Sequence, residues 1–236
     1  MIPATAAAAK NINTATIRIR KSYIMKLFLI RHAEGDNFKT NWQFPNTPLS
    51  SHGVRQANAL AAIKRFSAVN NIFSSNLARA KQTANIIAKD IGQVVEERVD
   101  IKERVQSSRI YGLIRTDLLS ETCLQALQEN TNDWDYKWDG EEESKNEVRS
   151  RAISFKNYLE QSLDGSILVV SHENFLKQLI PVCILGSGDL TKDSEKLYRS
   201  INIECTGVSL LIFNPTSKQW KIWYINDYSH LDGVKP

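Results

Sequence analysis

Residues 26–34 have the sequence KLFLIRHAE. The first five residues are a short apolar run typical of a strand, and Arg31 and His32 stand where that strand would end. Further along, residues 54–63 carry apolar side chains at three- and four-residue spacing, and Ser50 or Ser51 is placed to cap a helix there. A strand followed by an amphipathic helix predicts the first unit of an α/β fold.

The same alternation continues along the chain. The further predicted strands are 71–74, 94–101, 166–170, 208–213 and 219–225. The further predicted helices are 77–91, 118–129, 141–162 and 174–185. The last two strands are joined by a turn at 214–216 and predict a hairpin. We therefore predict an α/β fold, a three-layer α/β/α single domain whose mainly parallel sheet has an antiparallel edge.

Two segments differ from this pattern. Residues 104–140 are less regular, and we interpret them as a cap-like insertion in a main domain that spans 25–236. Residues 1–24 contain no acid and are similar in composition to an organellar transit peptide. Because Met25 stands directly before the first strand, we favour a flexible, dispensable extension. We then expect a cytoplasmic protein, with organellar import as the alternative.

Composition argues against several classes of function. The 236 residues include 30 Lys and Arg and 26 Asp and Glu, but four of the basic residues lie in 1–24, so the rest of the chain is neutral. We therefore expect no nucleic-acid partner. We also expect no membrane partner, because no apolar run approaches the roughly 20 residues of a membrane helix. The three cysteines are widely spaced, which favours a reducing compartment over a disulfide framework or a zinc site.

The candidate functional residues lie where predicted strands end. His32 follows the first strand, and His172 follows the strand at 166–170. Ligands of such sheets bind at the carboxyl ends of the strands, so both imidazoles are expected at one site. Arg31 precedes His32, and Arg79 begins the helix after the second strand. Two arginines and two histidines there predict a cationic pocket for a phosphoryl group.

Longer motifs around these residues resemble the histidine phosphatase superfamily, also called phosphoglycerate mutase-like. Residues 29–34 resemble its Arg-His-Gly signature, and 74–84 resemble its Ser-x-Leu-x-Arg-Ala-x-Gln-Thr-Ala helix. Further similar segments, in the family's order, are 48–57, 101–104, 142–151, 169–172 and 226–231. Because so many separate matches occur in order, the resemblance is specific, and it implies the fold of that family.

The resemblance implies metal-independent chemistry without a cofactor. His32 is the implied nucleophile, whose neutral imidazole attacks phosphorus and forms a phosphohistidine. Arg31, Arg79 and a protonated His172 are the implied donors to the phosphoryl oxygens, in the place that metal ions take in other enzymes. Glu103 matches the family's acid segment, which implies that it protonates the leaving group and later deprotonates water.

Three other positions bear on this site. Asn37, one residue short of the family's usual Asn, is a further candidate phosphate donor. Ala33 takes the place of the usual Gly and adds little bulk. Glu173 takes the place of the Gly that commonly follows the second His, and a carboxylate pointing inward would repel a phosphate dianion. We favour a side chain that points away and stabilises the next helix; the alternative is that it binds a cationic part of the substrate.

The same sequence argues against two other phosphatase chemistries. A cysteine phosphatase needs Cys-x5-Arg, but Glu129, Asp189 and Leu211 stand where that Arg would be. An aspartyl-phosphate motif is approached at 133–137, without the apolar strand that should precede it. The remaining ionisable candidates are assigned to helix turns or to no role: His52, His230 and the acidic run 141–143, although Glu143 occupies a family motif position.

Three functions fit the predicted pocket: a phosphomonoesterase, a phosphoglycerate-type mutase and a non-catalytic phospho-ligand binder. The retained histidines, arginines and acid disfavour a binder. In mutases of the family a Tyr-Gly pair follows the acid closely, whereas Tyr111 and Gly112 lie several residues past Glu103. We therefore favour hydrolysis, and we expect a small phosphorylated metabolite or a phosphorylated protein as the substrate.

Overall fold

In the computed structural model, which describes residues 24–188 and 192–234, the apolar run quoted first is strand β1 (Met25–Arg31). The further strands in these ranges are β2 (Asn71–Ser75), β3 (Val95–Arg98), β4 (Ser166–Ser171), β5 (Val208–Asn214) and β6 (Gln219–Asp227). The helices are α1 (Ser51–Ala62), α2 (Ala78–Ile91), α3 (Leu118–Glu129), α4 (Lys145–Ser162), α5 (Glu173–Leu185) and α6 (Lys192–Ser200). Apart from residue 24, the predicted extension lies outside the described residues.

The strands of the described ranges form one sheet in the order β3-β2-β4-β1-β5-β6. The pairs β1–β4, β2–β4 and β2–β3 are parallel, whereas β5 runs antiparallel to both β1 and β6. The predicted mainly parallel sheet with an antiparallel edge is thus confirmed. β1 is a nearly continuous apolar run because it is a central strand, buried on both faces.

Helices cover both faces of this sheet and complete the predicted three layers. On one face, Phe155 of α4 and Phe175 of α5 belong to a buried apolar cluster with alternate residues of β1 and β4. On the other face, Leu60 of α1 and Ile87 of α2 belong to a second cluster with the intervening residues of the same strands. Within the described residues, no helix has the length and apolar character that crossing a membrane requires.

The strand register positions the predicted site. Arg31 lies opposite Ser171 at the carboxyl end of the β1–β4 pair. The next residue along each strand is a histidine, so His32 and His172 leave the sheet side by side. The backbone N–H of His32 donates to the carbonyl of Ser171 (2.9 Å), which continues the pairing by one residue.

Three elements differ from the sequence predictions. β3 covers only 95–98, because Val94 and Val99 at its ends are exposed and contribute nothing to the core. α4 begins at Lys145 and leaves 141–143 outside the helix, because Ser144 caps it in a capping box with Glu147. α6 was not predicted, because its residues include too few apolar side chains for their spacing to indicate a helix.

Candidate active site

One cavity of about 250 Å³ lies at the carboxyl edge of the sheet. The predicted site residues that line it are Arg31, His32, Arg79, Glu103 and Glu173. His172 lies directly behind His32, with 4.8 Å between the ring centroids, and both rings are buried. Asn37 is not brought to this cavity, because it lies in an exposed turn with a φ of 53°.

The tautomer of His32 follows from its hydrogen bonds. Nδ1 lies 2.7 Å from the carbonyl oxygen of Ala33, which can only accept, so Nδ1 carries the proton and Nε2 keeps its lone pair. Arg79 Nε donates to Nε2 at 3.1 Å. Burial lowers the pKa of His32 well below its ordinary range, and the positive charges of Arg79 and Arg31 lower it further. The surroundings of His32 therefore favour a neutral ring with a lone pair at Nε2.

The loop after β1 is fixed by side chains of the flanking helices. Ala33 N–H donates to Thr83 Oγ1 (3.0 Å) on α2, and Glu34 N–H donates to Gln56 Oε1 (2.8 Å) on α1. A Cβ at Gly53 would lie 1.9 Å from the Glu34 carbonyl oxygen, so this close approach of α1 requires glycine. These contacts explain the Gly-x-x-Gln spacing of 53–56 and hold His32 in place.

The surroundings of His172 favour its neutral form while no anion is bound. Burial lowers its pKa well below the ordinary range, and His32, Arg79 and Arg31 lower it further. Its Nε2 lies 2.8 Å from Ser75 Oγ at the end of β2. Its buried Nδ1 has no hydrogen-bond partner within the described residues.

The two predicted arginines are held by backbone carbonyls. Arg31 Nη1 donates to Ile203 O at 2.5 Å, and its guanidinium lies 5.2 Å from the ring centroid of Phe38. Arg79 Nη1 donates to Phe44 O at 3.3 Å. Both guanidinium groups face the cavity of His32, where they can receive an anion.

Glu103 lines the same cavity as His32 and Arg79. Burial raises the pKa of its carboxyl, against the opposing effects of the Arg104 N–H bond (2.8 Å) and of the arginine charges. A carboxyl with a raised pKa can hold a proton and donate it to a departing oxygen.

Glu143 is not in the N-terminal turn of a helix, contrary to the sequence interpretation. Both of its carboxylate oxygens accept from the guanidinium of Arg151 at 2.8 Å, and Oε2 also accepts from Val105 N–H at 2.9 Å. Although burial raises the pKa of Glu143, these hydrogen bonds bring it below the usual range, so Glu143 is ionised. Arg151 also donates to the carbonyls of Asp100 and Lys102, at 2.7 and 3.1 Å. The Glu143–Arg151 pair thus holds the segment that carries Glu103.

Glu173 points into the cavity, so the favoured interpretation of its direction is wrong. It is the first residue of α5, and its Oε2 lies 3.0 Å from Arg31 Nη1. The physical reason is the strand register, which places the residue after His172 beside the arginine that precedes His32. The ion pair with the largely buried Arg31 stabilises this inward direction of Glu173 more than an exposed position at the helix N-terminus would.

Sequence reasoning missed further residues of the cavity wall: Trp42, Gln43, Gln106 and Arg115. The Arg115 guanidinium lies 4.7 Å from the Trp42 ring centroid. These side chains come from the loop 36–48 and from 104–115, which pair through backbone bonds such as Gly112 N–H to Trp42 O (2.8 Å). A second cavity of about 260 Å³, lined by Tyr111 among others, shares Glu103 and Arg79 with the first. No sequence motif indicates that the segments 36–48 and 104–115 meet at this cavity.

The two remaining histidines lie outside this cavity, as the sequence interpretation assigns. His52 is in the first turn of α1, where its Nε2 lies 3.2 Å from Gln56 Nε2. His230 Nε2 lies 2.9 Å from Thr206 Oγ1 near the end of the described chain.

Known proteins share this sequence pattern and fold. The family model of the histidine phosphatase superfamily (branch 1) matches residues 27–227. A 2,3-bisphosphoglycerate-dependent phosphoglycerate mutase of Allorhizobium ampelinum is 28% identical over 197 residues, which cover 78% of this chain and 88% of that relative.

Two solved structures show the same fold at lower identity. One is a phosphoserine phosphatase mutant of Entamoeba histolytica in complex with phosphoserine, with a TM-score of 0.70 and 22% identity, covering 88% of this chain and 99% of that one. The other is a mycobacterial glucosyl-3-phosphoglycerate phosphatase, with a TM-score of 0.72 and 21% identity, covering 86% of this chain and 99% of that one.

Proposed function

The chain belongs to the histidine phosphatase superfamily, branch 1, and on that premise we propose that it hydrolyses phosphomonoesters through a phosphohistidine on His32, without a metal or cofactor. The observation that carries this proposal is the bond from His32 Nδ1–H to the carbonyl of Ala33 (2.7 Å). Because that bond fixes the tautomer, the lone pair of Nε2 is available to attack phosphorus.

In the first step, a bond forms between Nε2 of His32 and phosphorus while the bond from phosphorus to the alcohol oxygen breaks. Glu103 gives its proton to the departing oxygen. Arg31 and Arg79 donate to the phosphoryl oxygens, and Arg79 exchanges its bond to Nε2 for one to the substrate. The bound dianion offsets the arginine charges that lower the pKa of His172, so this ring can take up a proton and donate as well.

In the second step, water attacks the phosphohistidine. The carboxylate of Glu103 takes a proton from the water as its oxygen bonds to phosphorus, and the bond from phosphorus to Nε2 breaks. Inorganic phosphate leaves, His32 is neutral again and Glu103 is protonated again. Over both steps one water is consumed and one alcohol and one phosphate are released.

The intermediate is tested by mixing the protein with 4-nitrophenyl phosphate and quenching in alkali, in which phosphohistidine survives. We expect mass spectrometry to locate a phosphoryl group on the peptide that contains His32. His32→Asn, which keeps a polar side chain of similar size, should give neither phosphoenzyme nor turnover. Turnover by His32→Asn at a rate near that of the wild type would contradict the proposal.

A phosphoglycerate-type mutase is the second candidate. Tyr111 lies several residues past the position it has in mutases, yet the chain folds back so that Tyr111 lines the cavity beside Glu103. The distance along the chain between Glu103 and Tyr111 therefore does not exclude a mutase. A coupled assay for 2-phosphoglycerate, with 3-phosphoglycerate and a trace of 2,3-bisphosphoglycerate, separates the functions: a phosphatase releases phosphate, a mutase isomerises, and a binder does neither.

The substrate we propose is a small phosphorylated metabolite rather than a phosphorylated protein. The two adjoining cavities measure about 250 and 260 Å³, which suits a phosphoryl group and a short alcohol portion. The related Entamoeba structure holds phosphoserine, a molecule of this size. Assays of phosphate release from phosphometabolites and from phosphopeptides test this choice directly.

A further inference from the structure

A carboxylate lies inside a cavity that is otherwise built for anions. Glu173 Oε2 is 3.0 Å from Arg31 Nη1, and Oε1 is 3.9 Å from Lys177 Nζ, one helical turn along α5. Its side chain is about one-third exposed (31%), and Glu173 lines the cavity. It therefore faces whatever occupies the space in front of His32 and Arg115.

The charges around this space set what it can hold. Among the described residues that line it, three guanidinium groups and one ionised carboxylate carry a net charge of two positive: Arg31, Arg79, Arg115 and Glu173. Glu103 holds its proton as the proposed acid. A phosphomonoester dianion balances this charge when the alcohol portion is uncharged, whereas a second anionic group on the alcohol portion would lie in the field of Glu173.

We propose, resting on the phosphatase function above, that Glu173 selects substrates by the charge of their alcohol portion. It disfavours phosphomonoesters that also carry a carboxylate or a second phosphate, and it favours those whose alcohol portion is neutral or carries an ammonium group. Glu173 is thus a specificity residue of the cavity, and its negative charge is the property that matters.

Two structural roles do not account for the negative charge of Glu173. Arg31 does not need Glu173 to hold its position, because the Ile203 carbonyl accepts from it at 2.5 Å and the Phe38 ring lies beside it. Stabilisation of the α5 N-terminus does not require a carboxylate directed at Arg31, since any exposed acid in the first turn serves that purpose. Neither role explains a negative charge that faces the site of a dianion.

The test uses three substrates that share a three-carbon skeleton and a 2-hydroxyl group and differ in one charge: 3-phosphoglycerate, glycerol 3-phosphate and 3-amino-2-hydroxypropyl phosphate. We expect Glu173→Gln to raise kcat/KM for 3-phosphoglycerate relative to glycerol 3-phosphate by about five- to tenfold, the size expected for one charge acting across several ångströms of a partly solvated cavity. Relative kcat/KM for the amino substrate should fall by a similar factor.

Two further variants make the result decisive. Glu173→Asp keeps the charge and should keep the wild-type order of the three substrates. Glu97→Gln removes an equal charge from Glu97 of β3, whose exposed side chain pairs with Lys81 of α2 outside the cavity, and should leave the ratios unchanged. Equal changes for all three substrates in Glu173→Gln, or the same change of ratios in Glu97→Gln, would overturn the proposal.

A binding measurement separates this proposal from the phosphatase function. Calorimetric affinities for 3-phosphoglycerate and glycerol 3-phosphate can be compared between His32→Ala and the double variant with Glu173→Gln. A gain in relative affinity for 3-phosphoglycerate supports charge selection even if the wild type releases no phosphate. An unchanged ratio refutes charge selection even if the wild type is an active phosphatase.

Discussion

His32 and Glu103 line one cavity, and burial moves their pKa values in opposite directions. Desolvation lowers the pKa of the imidazole and raises that of the carboxyl, because in each case it disfavours the charged form. The ring is therefore free of a proton at Nε2, while the carboxyl keeps its proton to higher pH than in water. Burial thus favours an unprotonated nucleophile and a protonated acid in the same cavity.

Glu103→Gln tests the acid at the scale of one residue. We expect kcat for alkyl phosphates to fall by about 10²–10⁴-fold, because a poor leaving group needs a proton. For 4-nitrophenyl phosphate the loss in kcat/KM, which reports only the step that forms the phosphohistidine, should be less than about tenfold, since nitrophenolate leaves without a proton. Rates across a series of leaving groups check this, and an equal loss throughout the series would remove Glu103 from the acid role.

The pH profile of the wild type gives a second test of Glu103. The protonated carboxyl is the active acid, so kcat for alkyl phosphates should fall as pH rises through its pKa. Because burial raises that pKa, the fall should come at higher pH than for an ordinary carboxyl near 4.5. The profile of kcat/KM for 4-nitrophenyl phosphate, which excludes the second step, should lack this fall, and so should Glu103→Gln with alkyl phosphates.

His32 and Arg79 were predicted because each stands at a fixed place in a strand–helix unit, whereas Glu103 was predicted from its match to the family's acid segment. The motifs did not locate Arg115 or the direction of Glu173. Arg115 reaches the cavity through pairing of the segment at 112–115 with the loop at 40–42, a contact between irregular segments. The direction of Glu173 depends on the neighbouring strand, which local sequence does not encode.

At the scale of elements, residues 102–105 lie outside the helices and strands of the described chain, so no such element positions Glu103. Instead, Arg151 of α4 donates to the carbonyls of Asp100 and Lys102, and Glu143 accepts from Val105 N–H. We infer that this arrangement acts on catalysis through the backbone that carries Glu103.

Glu143→Gln tests that inference. It weakens the pair with Arg151, so we expect kcat for alkyl phosphates to fall by roughly tenfold, with the same dependence on leaving group as Glu103→Gln. Combined with Glu103→Gln it should add little, because both substitutions affect one function. Fully additive losses, measured as kcat in the double-mutant cycle, would show that Glu143 acts independently of Glu103.

The ends of the helices and strands show which boundaries can be predicted from the sequence. β1 and α2 were predicted within one or two residues, because an apolar run ends at Arg31 and a helical stripe ends at Gly92, whose φ of 67° is the left-handed conformation of a helix cap. The predicted start of α4 is four residues too early, because the acidic run 141–143 resembles the first turn of a helix. In the structure Ser144 is the N-cap, so the helix begins at Lys145.

At the scale of the whole molecule, the positive charge that phosphoryl transfer requires is supplied by arginines on separate elements. Arg31 ends β1 and Arg79 lies in the first turn of α2. Because these guanidinium groups are permanently charged, we expect hydrolysis of 4-nitrophenyl phosphate to persist at full rate in excess chelator. A loss of activity in chelator that is reversed by adding divalent cations would contradict this expectation.

The sheet also predicts where a shortened chain can begin. Met25 is the first residue of β1 and lies opposite Phe213 of β5, and Lys26 N–H donates to the Gly165 carbonyl at 2.8 Å. The pairing of this central strand is thus complete from Met25 onward, and Ile24 is largely exposed. We expect a chain that starts at Met25 to keep its specific activity and its melting temperature. A fall of more than about 5 °C, roughly a kilocalorie per mole or more for a domain of this size, would show that residues 1–24 stabilise the fold and are not dispensable.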